Sequence, residues 1–130
     1  MSVQLEPWVR AKAQATANEL LAAIEGANAV VVATEDGFDV ASAIAKPVDP
    51  PRIAAMTSSI SAIGQILSQE AALGRPECLV VDASEGYLIM RRAKCGPVVL
   101  VINALTSRKA LLGLAMHSVA AAAKQLEAAS

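Results

Sequence analysis

Hydrophobic positions along this chain change period several times. Over residues 5–25 (LEPWVRAKAQATANELLAAIE) they recur at helical spacing, with Val9, Ala13, Ala17, Leu20 and Ile24 on one face. The segment is rich in helix formers. Pro7 suits a first helical turn, where a missing N–H is harmless, and Gly26 follows as a stop. From Ala29 to Ala33 every position is apolar, which predicts a central strand covered on both faces. Glu35-Asp36-Gly37 comes next. Asp-Gly between β-rich runs is a strong hairpin signal, because glycine tolerates positive φ. Phe38 to about Ile44 makes the second, more mixed strand. Three prolines in KPVDPP (46–51) predict a loop, with Asp49 as a helix cap and Pro50 and Pro51 in the first turn. A helix is predicted over 52–73 (RIAAMTSSISAIGQILSQEAAL); Gly74 ends it and Pro76 prevents its resumption. ECLVVDA (77–83), Ser84-Glu85-Gly86 and YLIMRRA (87–93) predict a second hairpin. KCGP turns the chain, and VVLVINA (98–104) is another all-apolar strand. From Ser107 onward a last helix is predicted, with Leu111, Ala115, Val119, Ala122 and Leu126 as its apolar stripe.

The predicted order is α-β-β-α-β-β-β-α. All strand connections except one are of hairpin length, so the sheet should be antiparallel and the class α+β. Residues 1–130 read as one domain, without an internal repeat or linker. The apolar fraction is 55%, but much of it is alanine, so Leu, Ile and Val must carry the core.

The middle helix has too much apolar surface for one buried stripe. Ile53, Met56, Ile60, Ile63 and Leu67 align to lie on the sheet, and Ala55, Ala62 and Ile66 widen the apolar surface round the wheel. Ser58, Ser59, Ser61 and Gly64 are small enough to let another helix approach closely. Charge is almost absent between Arg52 and Glu70, where a solvated face normally carries some. On one reading a loop of the same chain overlies this helix. On the other the helix also packs on a second chain. The next strand favours the second reading: CLVVDA has no Pro or Lys, so at a sheet edge it would lack the usual protection against pairing.

Composition removes several functions. A net charge of −1 and an aromatic content of 2% provide neither a basic footprint nor stacking platforms for nucleic acid, and no pull toward acidic membranes. No apolar run reaches the ~18 residues of a membrane span, and no basic-then-apolar leader opens the chain. Cys78 and Cys95 are not spaced as a metal knuckle or redox pair and read as reduced thiols of a cytoplasmic protein. His117 is the only histidine and falls with Gly113 and Lys124, away from the apolar stripe. The serines at 58, 59 and 61 sit in a helix body, not in a nucleophile elbow. Glu35, Asp36 and Asp39 cluster at a hairpin tip, where turn formation explains them better than a carboxylate pair. No phosphate-binding glycine loop is present, so the chain is not itself a P-loop GTPase. Arg91, Arg92, Lys94, Arg108 and Lys109 gather near the fourth strand's end and the last helix's start, as solvated surface or as a small basic patch. These features predict no enzyme, no cofactor and no metal.

The segments RIAAMTSSISAIGQIL, CLVVDASEGYLIMRRA, VVLVINA and LLGLAMHSVAAAAKQL, with AVVVATEDGFDVAS before them, together resemble the Roadblock (dynein light-chain type) family, in its bacterial branch of small-GTPase regulators. The resemblance runs from about residue 17 to 127, and it is carried by the order and spacing of the segments. It implies a profilin-like sandwich: a five-stranded antiparallel sheet with the middle helix on one face and the first and last helices on the other. It implies homodimers in which third strands pair into one continuous sheet and middle helices lie side by side. That places Ala55, Ser59, Ala62, Ile63, Ile66, Cys78, Leu79, Val80, Val81 and Asp82 at the dimer interface. It further implies binding of a Ras-like small GTPase across the dimer, with a role that extends to activation without an arginine finger; no catalytic arginine is carried over. Two alternatives use the same fold: a dimeric scaffold for other signalling proteins such as sensor kinases, and a small-molecule sensor module. The chain departs from the family pattern in its proline-rich loop 46–51 and in an extended N-terminal helix that carries Trp8.

Overall fold

The computed structural model describes residues 5–129. Helix α1 spans Pro7–Ala23, strands β1 and β2 span Ala27–Thr34 and Asp39–Ile44, and helix α2 spans Pro50–Glu70. Strands β3 (Cys78–Ala83), β4 (Gly86–Cys95) and β5 (Val98–Ser107) follow, and then helix α3 (Leu112–Ala128). The element order is the predicted one. Every strand pair is antiparallel, in the spatial order β2-β1-β5-β4-β3. The long connection through α2 therefore crosses from one sheet edge, β2, to the other, β3.

Strand alternation splits the apolar side chains between two faces. Val30, Val32, Ile89, Leu100 and Ile102 face α1 and α3, where they pack with Val9, Leu20, Val119 and Leu126. This is the main core, and branched aliphatics carry it, with alanines letting the helices approach closely. The predicted α1 face is buried in full. Helix α2 lies on the opposite face, chiefly over β1 and β2. Ala29 to Ala33 are thus covered on both sides, as an unbroken apolar run requires. Gly37 turns the first hairpin at φ +102, a conformation most side chains resist. A Cβ on Gly86 would collide with the Thr106 carbonyl oxygen, so β4 can meet β5 there only with glycine.

Several boundaries differ from expectation. α2, expected to run to Leu73, ends at Glu70. β4 continues to Cys95, so both free cysteines stand in strands and the turn is left to Gly96-Pro97. β5 continues to Ser107, whose N–H donates to the Gly26 carbonyl at 2.8 Å. The last helix consequently starts at Leu112. Leu111, expected in its buried stripe, is the residue before the first turn and is 66% exposed; Ala110 is buried instead. Trp8 rests against Gly96 at the β4–β5 turn.

The larger difference is the orientation of α2. The stripe Ile53, Met56, Ile60, Ile63 and Leu67 does not lie on the sheet. Ala54, Thr57 and Ser61 do, and they are the helix's buried residues. The helix is rotated so that its small residues face inward.

Candidate protein-interaction surface

The rotation of α2 follows from what its small residues permit. Ala54, Thr57, Ser58, Ser61 and Gly64 recur at three- and four-residue spacing, which makes them one face. With so little side chain between them, helix and sheet approach closely. A Cβ on Gly64 would meet Leu79 Cδ1 at 3.0 Å. Polar bonds then hold the helix in place. Ser58 Oγ donates to the Glu35 carbonyl at 2.9 Å, and Gln65 Nε2 donates to Glu35 Oε1 at 3.2 Å. Arg92 Nη2 donates to Glu35 Oε2 at 2.8 Å from the β4 side. One carboxylate thus ties the first hairpin's tip to α2 and to β4. Burial alone would raise the Glu35 pKa, but Arg92 and Gln65 outweigh it and hold the carboxyl below its ordinary value. At the start of α2, Asp49 Oδ1 accepts from the Arg52 N–H at 3.5 Å, the expected cap, with proline at both following positions.

The outward face of α2 is apolar. Ile63, Ile66 and Leu67 are 66%, 63% and 65% exposed. Met56 and Ile60 join them, and Ala55, Ser59 and Ala62 supply low ground between the larger side chains. Beside it runs β3, an edge strand bonded only to β4. Leu79 lies under Gly64, so Leu79 and Val81 share the α2 face of the sheet, while Cys78, Val80 and Asp82 take the other. Val80, Val81 and Asp82 are exposed; Cys78 and Leu79 are half-buried. Burial raises the Cys78 thiol pKa despite the nearby Arg91. Asp82 is engaged within the chain, paired with Arg108, which also donates to the Ala83 carbonyl at 2.9 Å and stacks 4.8 Å over the Tyr87 ring.

Of the ten residues expected at an interface, Ala55, Ser59, Ala62, Ile63 and Ile66 lie on the outward face of α2, Leu79 and Val81 lie on the α2 side of β3, and Cys78, Val80 and Asp82 lie on that strand's opposite side. The outward face of α2 is wider than expected. Met56, Ile60 and Leu67 belong to it and were expected under the helix. The signal that finds them is the helical spacing of the small residues at 54, 57, 58, 61 and 64. The basic residues do not form a patch. β4 and β5 are antiparallel, so Arg91 and Arg92 lie opposite Ile102 and Val101, toward the start of β5, while Arg108 sits beside Tyr87 at the strand's other end. His117 is exposed on α3. Among the described residues no group of His, Cys, Asp and Glu is arranged to hold a metal ion, and no helix is long and apolar enough to cross a membrane.

Among curated proteins, none matches the sequence. Solved structures do match by shape. The gliding protein MglB of Thermus thermophilus is 20% identical with a TM-score of 0.84, over 97% of this chain and 93% of that one. MglB of Myxococcus xanthus is 19% identical with a TM-score of 0.82, over 97% and 92%. A Roadblock/LC7 domain from Streptomyces avermitilis is 18% identical with a TM-score of 0.77, over 86% and 92%. At these identities the likeness establishes the fold. The pattern of one sequence family matches residues 14–104, from within α1 to near the end of β5, and the chain belongs to that family, the Roadblock/LC7 domain.

Proposed function

We infer that this protein is a homodimeric, non-enzymatic regulator that binds a Ras-like small GTPase in a bacterial-type cytoplasm, its whole length forming one Roadblock-like domain with an extended first helix. The observation that carries the reading is the outward apolar face of α2 running into the unpaired edge of β3. Exposed Ile63, Ile66, Leu67 and Val81 each leave unrealised, in the monomer, a part of the roughly 1.5–3 kcal/mol that full burial of such a side chain gives. A two-fold partner realises it, because a surface of this kind can meet its own copy. Two β3 strands pair antiparallel and satisfy each other's edge N–H and C=O groups. Ala55, Ser59 and Ala62 let the two α2 helices approach, and Ile63 and Ile66 anchor them. The joined helices then offer a broad composite face to a GTPase. Its activation would come from positioning the GTPase's own groups, since the exposed His117 lies on α3 and the α2 serines lie across the sheet from it.

A small-molecule site beneath α2 has no support: the gap there near Ser61, Leu79 and Met90 holds about 10 Å³, room for one water and not a ligand. The test is capture from native lysate with GDP or a non-hydrolysable GTP analogue added in parallel. Recovery of a small GTPase only with the triphosphate supports the reading, and turnover assays then measure activation. Recovery of kinases in both states, or of nothing, replaces it with the scaffold.

A further inference from the structure

The edge of the sheet beyond β3 carries a groove lined by none of the residues expected at the dimer interface. A cavity of about 440 Å³ lies between the C-terminal half of α3, the end of β4 and the chain at Arg75–Glu77. Arg75, Arg91, Lys94 and Lys124 line it, against the two carboxylates of Glu77 and Glu127. Among the described residues the close ion pairs join Arg92 to Glu35 and Arg108 to Asp82, so none of those four cations is held in one, although Arg75 also acts on Glu35 and Arg91 on the Cys78 thiol. Between them the lining is small and apolar, at Ala93, Ala120 and Ala123.

The backbone at this place is open as well. β3 pairs with β4 only as far as Cys78 opposite Arg91. On its other side β4 stays paired with β5 up to Cys95 opposite Val98. Arg92–Cys95 is therefore a second stretch of sheet edge, about 13 Å long at ~3.3 Å per residue. Continuing the β3 register would set Glu77 opposite Arg92 and Pro76 opposite Ala93. Pro76 has no N–H to contribute to a ladder, and the chain leaves the sheet there. Alternate residues of Arg92–Cys95 direct N–H and C=O away from β5, and no backbone partner meets them among the described residues.

We propose that this groove binds an extended acidic segment of a partner polypeptide, which adds as a short strand to β4 at Arg92–Cys95. Main-chain hydrogen bonds set its register, and alternate side chains point toward α3. Its carboxylates meet Arg75, Arg91, Lys94 and Lys124, and its small apolar side chains rest on Ala93 and Ala123. Nucleic acid fits less well, because a phosphate backbone cannot complete a β-ladder. None of the ten residues expected at the dimer interface lines the groove, so this inference is argued separately from the dimer.

The probe is a fluorescein-labelled octapeptide alternating glutamate and valine, titrated into the full chain by fluorescence anisotropy. Saturable binding is expected, with slowed amide exchange at Arg92–Cys95. Lys94 and Lys124 are both exposed, so the double variant Lys94→Glu/Lys124→Glu should fold, as circular dichroism verifies, and bind at least ~10-fold more weakly. The same peptide N-methylated at alternate residues should also bind more weakly, while Ile63→Lys should bind it as the parent does. Equal binding of the N-methylated peptide or of an oligothymidine overturns the proposal, since it shows charge attraction without strand addition. So does an absence of binding at about 1 mM peptide.

Discussion

Helices α2 and α3 lie on opposite faces of one sheet and place most of their large apolar side chains in opposite directions, Leu114 of α3 being an exposed exception. α3 turns Ala115, Val119, Ala122, Ala123 and Leu126 into the core. α2 turns Ala54, Thr57 and Ser61 to the sheet and leaves Met56, Ile63, Ile66 and Leu67 outside. The first helix is held by desolvation, the second by close approach and by the bonds to Glu35. The two sheet edges differ in the same sense. β2 has a register shift opposite Val32/Ala33, and Gln14 of α1 donates to its Ser42 carbonyl at 2.8 Å. β3 pairs regularly along its whole length, and among the described strands none pairs with its outer side. An apolar stripe thus shows that a helix has a surface to bury, without saying against what.

The sharpest way to break this comparison is to remove apolar volume from each helix in turn. Leu126 is fully buried, so Leu126→Ala should cost about 3 kcal/mol in urea unfolding, independently of protein concentration. Ile63→Ala should alter a dilute sample far less. Charge then tests what the outer face is for. Ile63→Lys and Val81→Lys should each halve the mass seen by light scattering and leave the circular dichroism intact, because a desolvated unpaired charge costs several kcal/mol or so at an interface. If both variants stay dimeric, the interface is elsewhere. If the parent is a monomer at all concentrations, the contrast between the helices has another cause.

A smaller effect comes from the polar clamp on α2. The folded Glu35 carboxyl sits below its ordinary value of 4.5, so the folded chain binds that proton more weakly than the unfolded chain. Its contribution to stability is complete above that value and is lost as pH falls through the folded pKa. Stability difference curves for Glu35→Gln should therefore be flat from neutral pH to about pH 5 and converge on the parent at lower pH. Arg92→Gln should remove the same slope. A variant difference that grows on acidification would show that Glu35 is not the anchored carboxylate.

The legible part of this fold is the part written in local period. Unbroken runs at 29–33 and 98–104 mark two buried strands, and Asp36-Gly37 marks a turn, because strand and turn geometry act on neighbouring residues. The element order followed, as did the buried face of α1. The rotation of α2 was not legible by that rule. The apolar-inward assumption put Ile63 under the helix as well as at its border, and only the serine-threonine-glycine stripe opposes it. Two further features depend on distant residues. Glu35 meets Arg92 across a separation of 57 positions, which no local pattern encodes. The basic residues of β4 and of the turn before α3 are near in sequence, but the antiparallel return of β5 carries them to opposite ends of the strand.

The end of α2 offers the finest test of whether this helix is tuned for its own stability. Beyond the Ala71 N–H bond to the Leu67 carbonyl, its end closes with Ala72 N–H to the Gln69 carbonyl at 3.2 Å and Leu73 N–H to the Ser68 carbonyl at 2.8 Å. That pattern calls for a left-handed residue at Ala72, which sits at φ 56. Alanine there carries about 1–2 kcal/mol of steric cost that glycine avoids. Glycine gives back about 0.4–1 kcal/mol through its freer unfolded chain. Ala72→Gly should therefore stabilise the protein by a net of about 0.5 kcal/mol, with the sign readable in urea midpoints. α3 has no such site, because Ala129 beyond it keeps φ −81 and the same change there can only destabilise. Leu73 follows the strained residue and is among the most exposed apolar side chains. If Ala72→Gly stabilises the monomer and weakens self-association, the strain serves to aim Leu73 at the second copy. If association is unchanged, the strain is a local cost of ending the helix at Glu70 and has no part in the interface.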